Sequence, residues 1–155
     1  NSASTTETST AATTPVPADY DGDGKDDVAV YRSGTQSTWF YKTSPTALFT
    51  AVDWGQTGDV PATGDYDGDG KFDAGVFRPS SNTWFVQRST AGTLIQQFGI
   101  AGDKPVPADY DNDGKNDLAI YRNGVWWILK TSDGGVSTTT FGIPTDTPIQ
   151  SAYLP

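Results

Sequence analysis

Nine residues recur three times with little change: DYDGDGKDD at Asp19–Asp27, DYDGDGKFD at Asp65–Asp73 and DYDNDGKND at Asp109–Asp117. Each copy has aspartate at its first, third, fifth and ninth places, glycine at the sixth and lysine at the seventh. The whole chain carries a net charge of −9. Two like charges 4 Å apart repel by about 1 kcal/mol in water, and by more near a protein surface. A sequence that builds this repulsion three times needs something to cancel it.

The three stretches also set a period. Asp19, Asp65 and Asp109 are spaced by 46 and 44 residues. Trp39, Trp84 and Trp126 recur at 45 and 42, and the pairs Trp54-Gly55, Phe98-Gly99 and Phe141-Gly142 at 44 and 43. Repetition at a fixed period organises the chain before any local reading does. Each unit reads as four short strands. Val-Pro-Ala leads into the aspartate loop. An alternating run follows: VAVYR (Val28–Arg32), AGVFR (Ala74–Arg78) or LAIYR (Leu118–Arg122). A turn then leads to an aromatic strand, TWFYK, TWFVQ or VWWIL, and the fourth strand ends in the Trp-Gly or Phe-Gly pair. Alternation, β-branched and aromatic residues, and Gly/Pro/Asn punctuation all specify strands. The expected fold is all-β: antiparallel, propeller-like blades, as three four-stranded repeats plus one extra strand. A β-trefoil is the alternative for a threefold repeat.

The repeats run over about 15–58, 59–102 and 103–145 of a domain spanning 15–155. A partial fourth, DTPIQSAYLP at 146–155, matches the opening DKPVPADYDN of the third. It is expected to supply one strand of a fourth blade without its loop. Residues 1–14, NSASTTETSTAATT, are Ser/Thr-rich and almost without apolar side chains. They read either as a disordered, glycosylated tail or as a donor strand for a sheet edge in another copy.

The loops point to a metal. Alternating carboxylates with a glycine at the sixth place form the first part of an EF-hand-like calcium loop. The candidate ligands are Asp19, Asp21, Asp23 and Asp27 with the Lys25 carbonyl; Asp65, Asp67, Asp69 and Asp73 with the Lys71 carbonyl; and Asp109, Asp111, Asp113 and Asp117 with the Lys115 carbonyl. The bidentate Glu that ends an EF-hand is replaced by Val30, Val76 or Ile120, inside a strand. The flanking elements are therefore strands, not helices. Three Ca²⁺, one per loop, would add six charges to −9 and leave −3. The affinity expected of such loops is about 10⁻⁴–10⁻³ M, and Mg²⁺ is disfavoured because it resists multidentate protein cages.

These stretches, extended to DYDGDGKDDVAVYR, DYDGDGKFDAGVFR and DYDNDGKNDLAIYR, resemble the FG-GAP/VCBS repeats of bacterial secreted proteins, which are similar to the calcium-binding blades of integrin α-subunit propellers. The resemblance covers about 15–155. It implies Ca²⁺ at the loops, antiparallel blades and a secreted or cell-surface adhesive or scaffolding role. Family propellers close with more blades than the three units and one strand present here, so a closed ring from one chain is not expected.

Composition narrows the remaining possibilities. The chain has 155 residues with no Cys, His or Met. Disulfides and thiolate chemistry are excluded, and the commonest general base is missing. Its acidity argues against nucleic acid and against an anionic membrane surface. No apolar run reaches the length of a membrane helix. The paired carboxylates belong to the loops, so no enzymatic activity is expected. Trp39, Trp84 and Trp126 read as packing between blades, and Trp127 sits on the alternate face, where the other units have Phe40 and Phe85. Arg32, Arg78 and Arg122 read as structural partners of the repeating Asp59, Asp103 and Asp146.

An unclosed blade array leaves edges that call for a partner. The first expectation is a non-enzymatic extracellular structural protein that self-associates, either as a dimeric ring of six blades or as a head-to-tail polymer grown by strand complementation. The alternatives are a carbohydrate-binding or adhesion module with glycan partners, or a C-terminal fragment of a larger surface propeller.

Overall fold

Alternation along a strand sends successive side chains to opposite faces, so each VAVYR-type run presents two faces. The architecture follows from burying both. The computed structural model describes residues 13–149. Blade 1 comprises β1 (Thr13–Pro15), β2 (Val28–Arg32), β3 (Thr38–Lys42) and β4 (Thr50–Asp53). Blade 2 comprises β5 (Val60–Pro61), β6 (Ala74–Arg78), β7 (Thr83–Arg88) and β8 (Gly92–Gln97). Blade 3 comprises β9 (Lys104–Pro105), β10 (Leu118–Arg122), β11 (Val125–Leu129) and β12 (Val136–Thr140). Each is a four-stranded sheet in simple sequential order, with every pairing antiparallel. Among the described residues no strand ladder joins one unit to another. Three separate meanders are blades, and the trefoil alternative falls away.

The first strands are shorter than the sequence reading: β1 and β9 end just before Val16-Pro17-Ala18 and Val106-Pro107-Ala108, which form no strand, whereas β5 is itself the Val-Pro of Val60–Ala62. Proline has no N–H to donate to a ladder, and Pro17 and Pro107 end the pairing. One further bond continues it on each side: Val16, Ala62 and Val106 donate their N–H groups to the carbonyls of Ala29, Gly75 and Ala119, at 3.0, 2.8 and 2.8 Å. Thr13 and Thr14, from the segment read as a tail or donor strand, pair within their own blade with Arg32 and Tyr31. The rest of that segment, 1–12, and the end of the partial fourth unit, 150–155, lie outside the described residues.

The blades stack face on face. Ala29, Tyr31 and Trp39 project forward from blade 1 and pack against Val76, Ala74 and Phe85 on the rear of blade 2. Phe77, Trp84 and Val86 project forward from blade 2 onto Leu118, Ile120 and Trp127 of blade 3. Among the described residues the third cluster, Val106, Ala119, Tyr121, Ile128 and Trp126, draws on blade 3 alone. Each repeat-matched tryptophan donates its indole N–H to the carbonyl that precedes the conserved-position glycine: Trp39 to Trp54, Trp84 to Phe98 and Trp126 to Phe141, at 3.0, 3.0 and 2.9 Å. Trp54 also reaches across the blade junction, donating to the Phe85 carbonyl at 3.0 Å.

The middle and last blades differ in how well the same position is covered. Trp84 is fully buried, whereas Trp126 is only half-buried. Trp84→Ala is therefore expected to cost about 3–5 kcal/mol, the range for a deleted core aromatic, and Trp126→Ala clearly less. Urea unfolding of the two variants, as monomers, measures the difference.

Candidate metal centre

Each loop is a cage made by its own first aspartate. Asp19 accepts the N–H groups of Gly22 and Asp23 on one carboxylate oxygen, at 2.6 and 3.2 Å, and that of Gly24 on the other, at 2.8 Å. Asp65 repeats this with Gly68, Asp69 and Gly70, and Asp109 with Asp113 and Gly114. The curl needs left-handed backbone at the fourth and sixth places. Gly22 and Gly24 have φ of 82° and 85°; in the third loop Asn112 takes the fourth place at 61°. Asparagine is among the few side chains that tolerate this region.

The ninth aspartate closes the loop. Asp27, Asp73 and Asp117 are buried and bridge back to Ala18, Gly64 and Ala108. Each accepts the N–H of the tyrosine at the second place, Tyr20, Tyr66 or Tyr110, at 2.9, 2.9 and 3.0 Å. The second oxygens of Asp73 and Asp117 take the N–H groups of Ser89 and Thr131, both at 2.8 Å.

This geometry gathers three of the four expected carboxylates per loop. Asp19, Asp21 and Asp27 each offer an oxygen within 4.8 Å of the others; so do Asp65, Asp67 and Asp73, and Asp109, Asp111 and Asp117. The fifth-place aspartates stand outside these groups. Asp23, Asp69 and Asp113 accept the N–H groups of Lys25, Lys71 and Lys115 instead, at 2.9, 2.8 and 2.9 Å, and Lys25 adds an exposed ion pair to Asp23. A residue two places on is the natural partner of an Asp side chain in a turn.

The donor set fits a hard divalent cation. Asp67 Oδ1 and Asp111 Oδ1 are buried with no hydrogen-bond partner. A buried carboxylate oxygen without a partner is costly, and both residues belong to the gathered groups. Burial, followed by the neighbouring carboxylates after opposing hydrogen bonds, raises the Asp27 and Asp117 carboxyls above the ordinary range. Burial pushes Asp73 up to about 7, although the Tyr66 and Ser89 N–H groups oppose it. Asp67 moves the other way: burial raises it, but donors from Thr90, Asp69 and Ala91 outweigh burial and hold it below the usual value.

The Thr90 and Ala91 donors come from a hairpin turn that the sequence reading left unused. Thr90 donates its N–H and hydroxyl to Asp67 Oδ2, both at 2.8 Å, and Ala91 its N–H at 3.1 Å. The Ser89 hydroxyl donates to Asp69, and the Ser132 hydroxyl to Asp111. The available signal was the recurrence of Ser/Thr in the turn between third and fourth strands, RSTAG at 88–92 and KTSDG at 130–134. In the first unit Pro45 stands where Thr90 does and has no N–H to give, and Asp21 is correspondingly exposed.

The loops are also joined in a row. Phe72 N–H donates to the Asp19 carbonyl and Asn116 N–H to the Asp65 carbonyl, both at 2.7 Å. The Lys71 side chain lies over Gly22, and Lys115 over Gly68. Away from the loops, Arg78 holds Asp59 through two bonds of 2.7 and 2.8 Å, and Arg122 holds Asp103 at 2.6 and 2.7 Å. Arg32 stacks its guanidinium 4.4 Å above the Phe40 ring.

Residues 65–120, the second loop through the third, match the model of the FG-GAP-like repeat family. No curated protein and no solved structure matches the chain. The family match, the separate four-stranded blades and the gathered carboxylates describe one kind of module, a propeller-like repeat whose loops are able to hold metal ions.

If the three loops hold calcium, Asp73→Asn should remove one site, lowering the stoichiometry in titration calorimetry from three to two. Chelation should lower the melting temperature, since the ion binds only the folded loops. With Kd of about 10⁻⁴–10⁻³ M and millimolar calcium, each site contributes about 0.4–1.4 kcal/mol and three about 1–4 kcal/mol, so a loss of a few to about fifteen degrees is expected. A melting temperature indifferent to chelator would contradict the assignment.

Proposed function

We propose that this chain is a non-enzymatic, calcium-stabilised extracellular structural protein that associates head to tail with further copies of itself. The observation that carries this reading is the third apolar cluster. Among the described residues the first two clusters take side chains from two neighbouring blades, and the third takes them from one. A unit built to be covered by the next is left with half an interface. The extracellular setting is supported by the calcium-type loops, whose weak expected affinity suits millimolar calcium, and by the family match over 65–120.

A second reading draws on the same end of the molecule. Tyr121 and Trp126 meet edge to face, with ring centres 5.3 Å apart, and exposed Phe141 lies beside them. Such an aromatic shelf could stack a sugar, which would make the chain an adhesion module with glycan partners.

Light scattering behind a sizing column, in millimolar calcium and in chelator, tests the first reading. A mass of two chains or more in calcium is the expected result, with two meaning a six-bladed ring and a broad high-mass distribution meaning a fibre. A monomer at all concentrations, together with saturable quenching of tryptophan fluorescence by a glycan, would transfer the assignment to the second.

A further inference from the structure

We infer that the rear face of blade 1 in one copy docks on the forward face of blade 3 in another, with Val30 seated over Gly142. The inference rests on the self-association reading and specifies its contact. It follows from comparing the same positions in the three units. Inside the chain, Val76 of blade 2 sits over Gly55, its Cγ1 3.3 Å from where a Cβ would stand, and Ile120 of blade 3 sits over Gly99 at 3.5 Å. Those glycines have φ of 106° and 101°, and Gly142 has 109°. Both plugs are completely buried. The third glycine has the same conformation and the same surroundings, Tyr121 and Trp126. What lies over it is an open groove of about 290 Å³ bounded by Phe141, Asp146 and Ile149.

The residue that would fill it is on the page. Val30 holds the register of Val76 and Ile120, opposite Phe40 as they are opposite Phe85 and Trp127. It lies on the rear face of blade 1, in an apolar groove of about 260 Å³ with Phe40 and Phe49. Neighbouring Val28 is 71% exposed, whereas Leu118 at its position in blade 3 is 2% exposed. The forward end shows the converse. Tyr20 and Tyr66 are buried, and Tyr110, with the same hydroxyl bond to the chain four residues back, is 39% exposed. The two grooves are the two halves of the interface that the chain forms twice internally, so the occupant is a second copy.

The polar contacts continue in the same way. At each internal junction an aspartate after the glycine turn receives the arginine of the following blade: Asp59 receives Arg78, and Asp103 receives Arg122. Asp146 holds that place at the end of blade 3, and Arg32 holds the register of Arg78 and Arg122. Docking brings the opposite charges together. It also brings the Asp26 N–H to the Asp109 carbonyl, as Phe72 is brought to Asp19 and Asn116 to Asp65. Asp26 is acidic where those two are neutral, so docking without a cation sets another carboxylate against the third loop. Assembly through this contact should therefore need calcium. β1 fills the first-strand place of blade 1 from within the chain, and Asp146–Ile149 holds that same place in register with Asp59–Ala62 and Asp103–Val106, so docking has one of the two segments yield it to the other.

The test uses the full chain in millimolar calcium, with mass read by light scattering and folding by melting temperature. Val30→Asp places a charge in the apolar slot and should weaken association about a hundredfold or more, leaving a monomer that melts as the wild type does. Asp146→Arg should also weaken assembly, and the double variant Asp146→Arg/Arg32→Asp should restore it, which a merely structural role for either residue would not produce. If wild type assembles and folded Val30→Asp assembles equally well, the docking contact is wrong while self-association stands, through the terminal segments or another surface. A charge swap that fails to restore assembly removes the Asp146–Arg32 pairing and counts against this orientation. A wild-type monomer at all concentrations overturns self-association and the docking contact together.

Discussion

The ninth aspartate of each loop is the constraint on which the rest depends. Asp27, Asp73 and Asp117 lie where the loop ends and the second strand begins, and each is tied to the loop's opening through the tyrosine N–H. That bond fixes the distance between first and second strands, and therefore the start of the blade's register. The same side chain offers an oxygen to the carboxylate group. A buried acid that is half-satisfied by backbone donors and crowded by other acids is unfavourable alone. With a dication beside it, the arrangement becomes one of the more rigid features of the blade. A bound dication would make metal affinity and blade folding one equilibrium rather than two.

Packing carries the order outward from there. The tyrosine that donates its N–H to this aspartate sends its hydroxyl back to Val16, Ala62 or Val106, so one residue ties the loop to the first strand. The second strand then presents its two faces to two different neighbours. Its forward residues surround a tryptophan that is fixed by the carbonyl before the glycine turn. Its rear residues plug the glycine turn of the preceding blade. Loop, strand and turn thus belong to a single repeating contact, and the Arg–Asp bridges pin its outer end.

Much of this was legible because the repeat is written in residues with few alternative uses. Aspartate every second place with glycine at the sixth specifies a curled loop; VAVYR and TWFYK specify strands; a tryptophan at a constant offset specifies a core position. What escaped reading was relational. Nothing in DYDGDG says that Asp23 will turn to the Lys25 N–H while Asp21 faces Asp27, because both have the same side chain and only the backbone path separates them. The Thr90 clamp on Asp67 joins residues 23 positions apart, across a hairpin whose own pattern suggested only a turn. The first strand was misplaced in units 1 and 3 because Val16-Pro17-Ala18 and Val106-Pro107-Ala108 are apolar enough to pair, while Pro17 and Pro107 cannot donate; in unit 2 Val60–Pro61 does pair.

The forward and rear faces of a unit are different surfaces, yet each matches the other surface of its neighbour. An insertion of one whole unit of about 44 residues would meet a ready-made contact on both sides, and so would a deletion. Length in such an architecture is set by how many times the coding segment is copied, not by any interface that must be reinvented. The stack also has a polarity: one end presents plugs and the other sockets, so a single unit that carries only one of the two can terminate it.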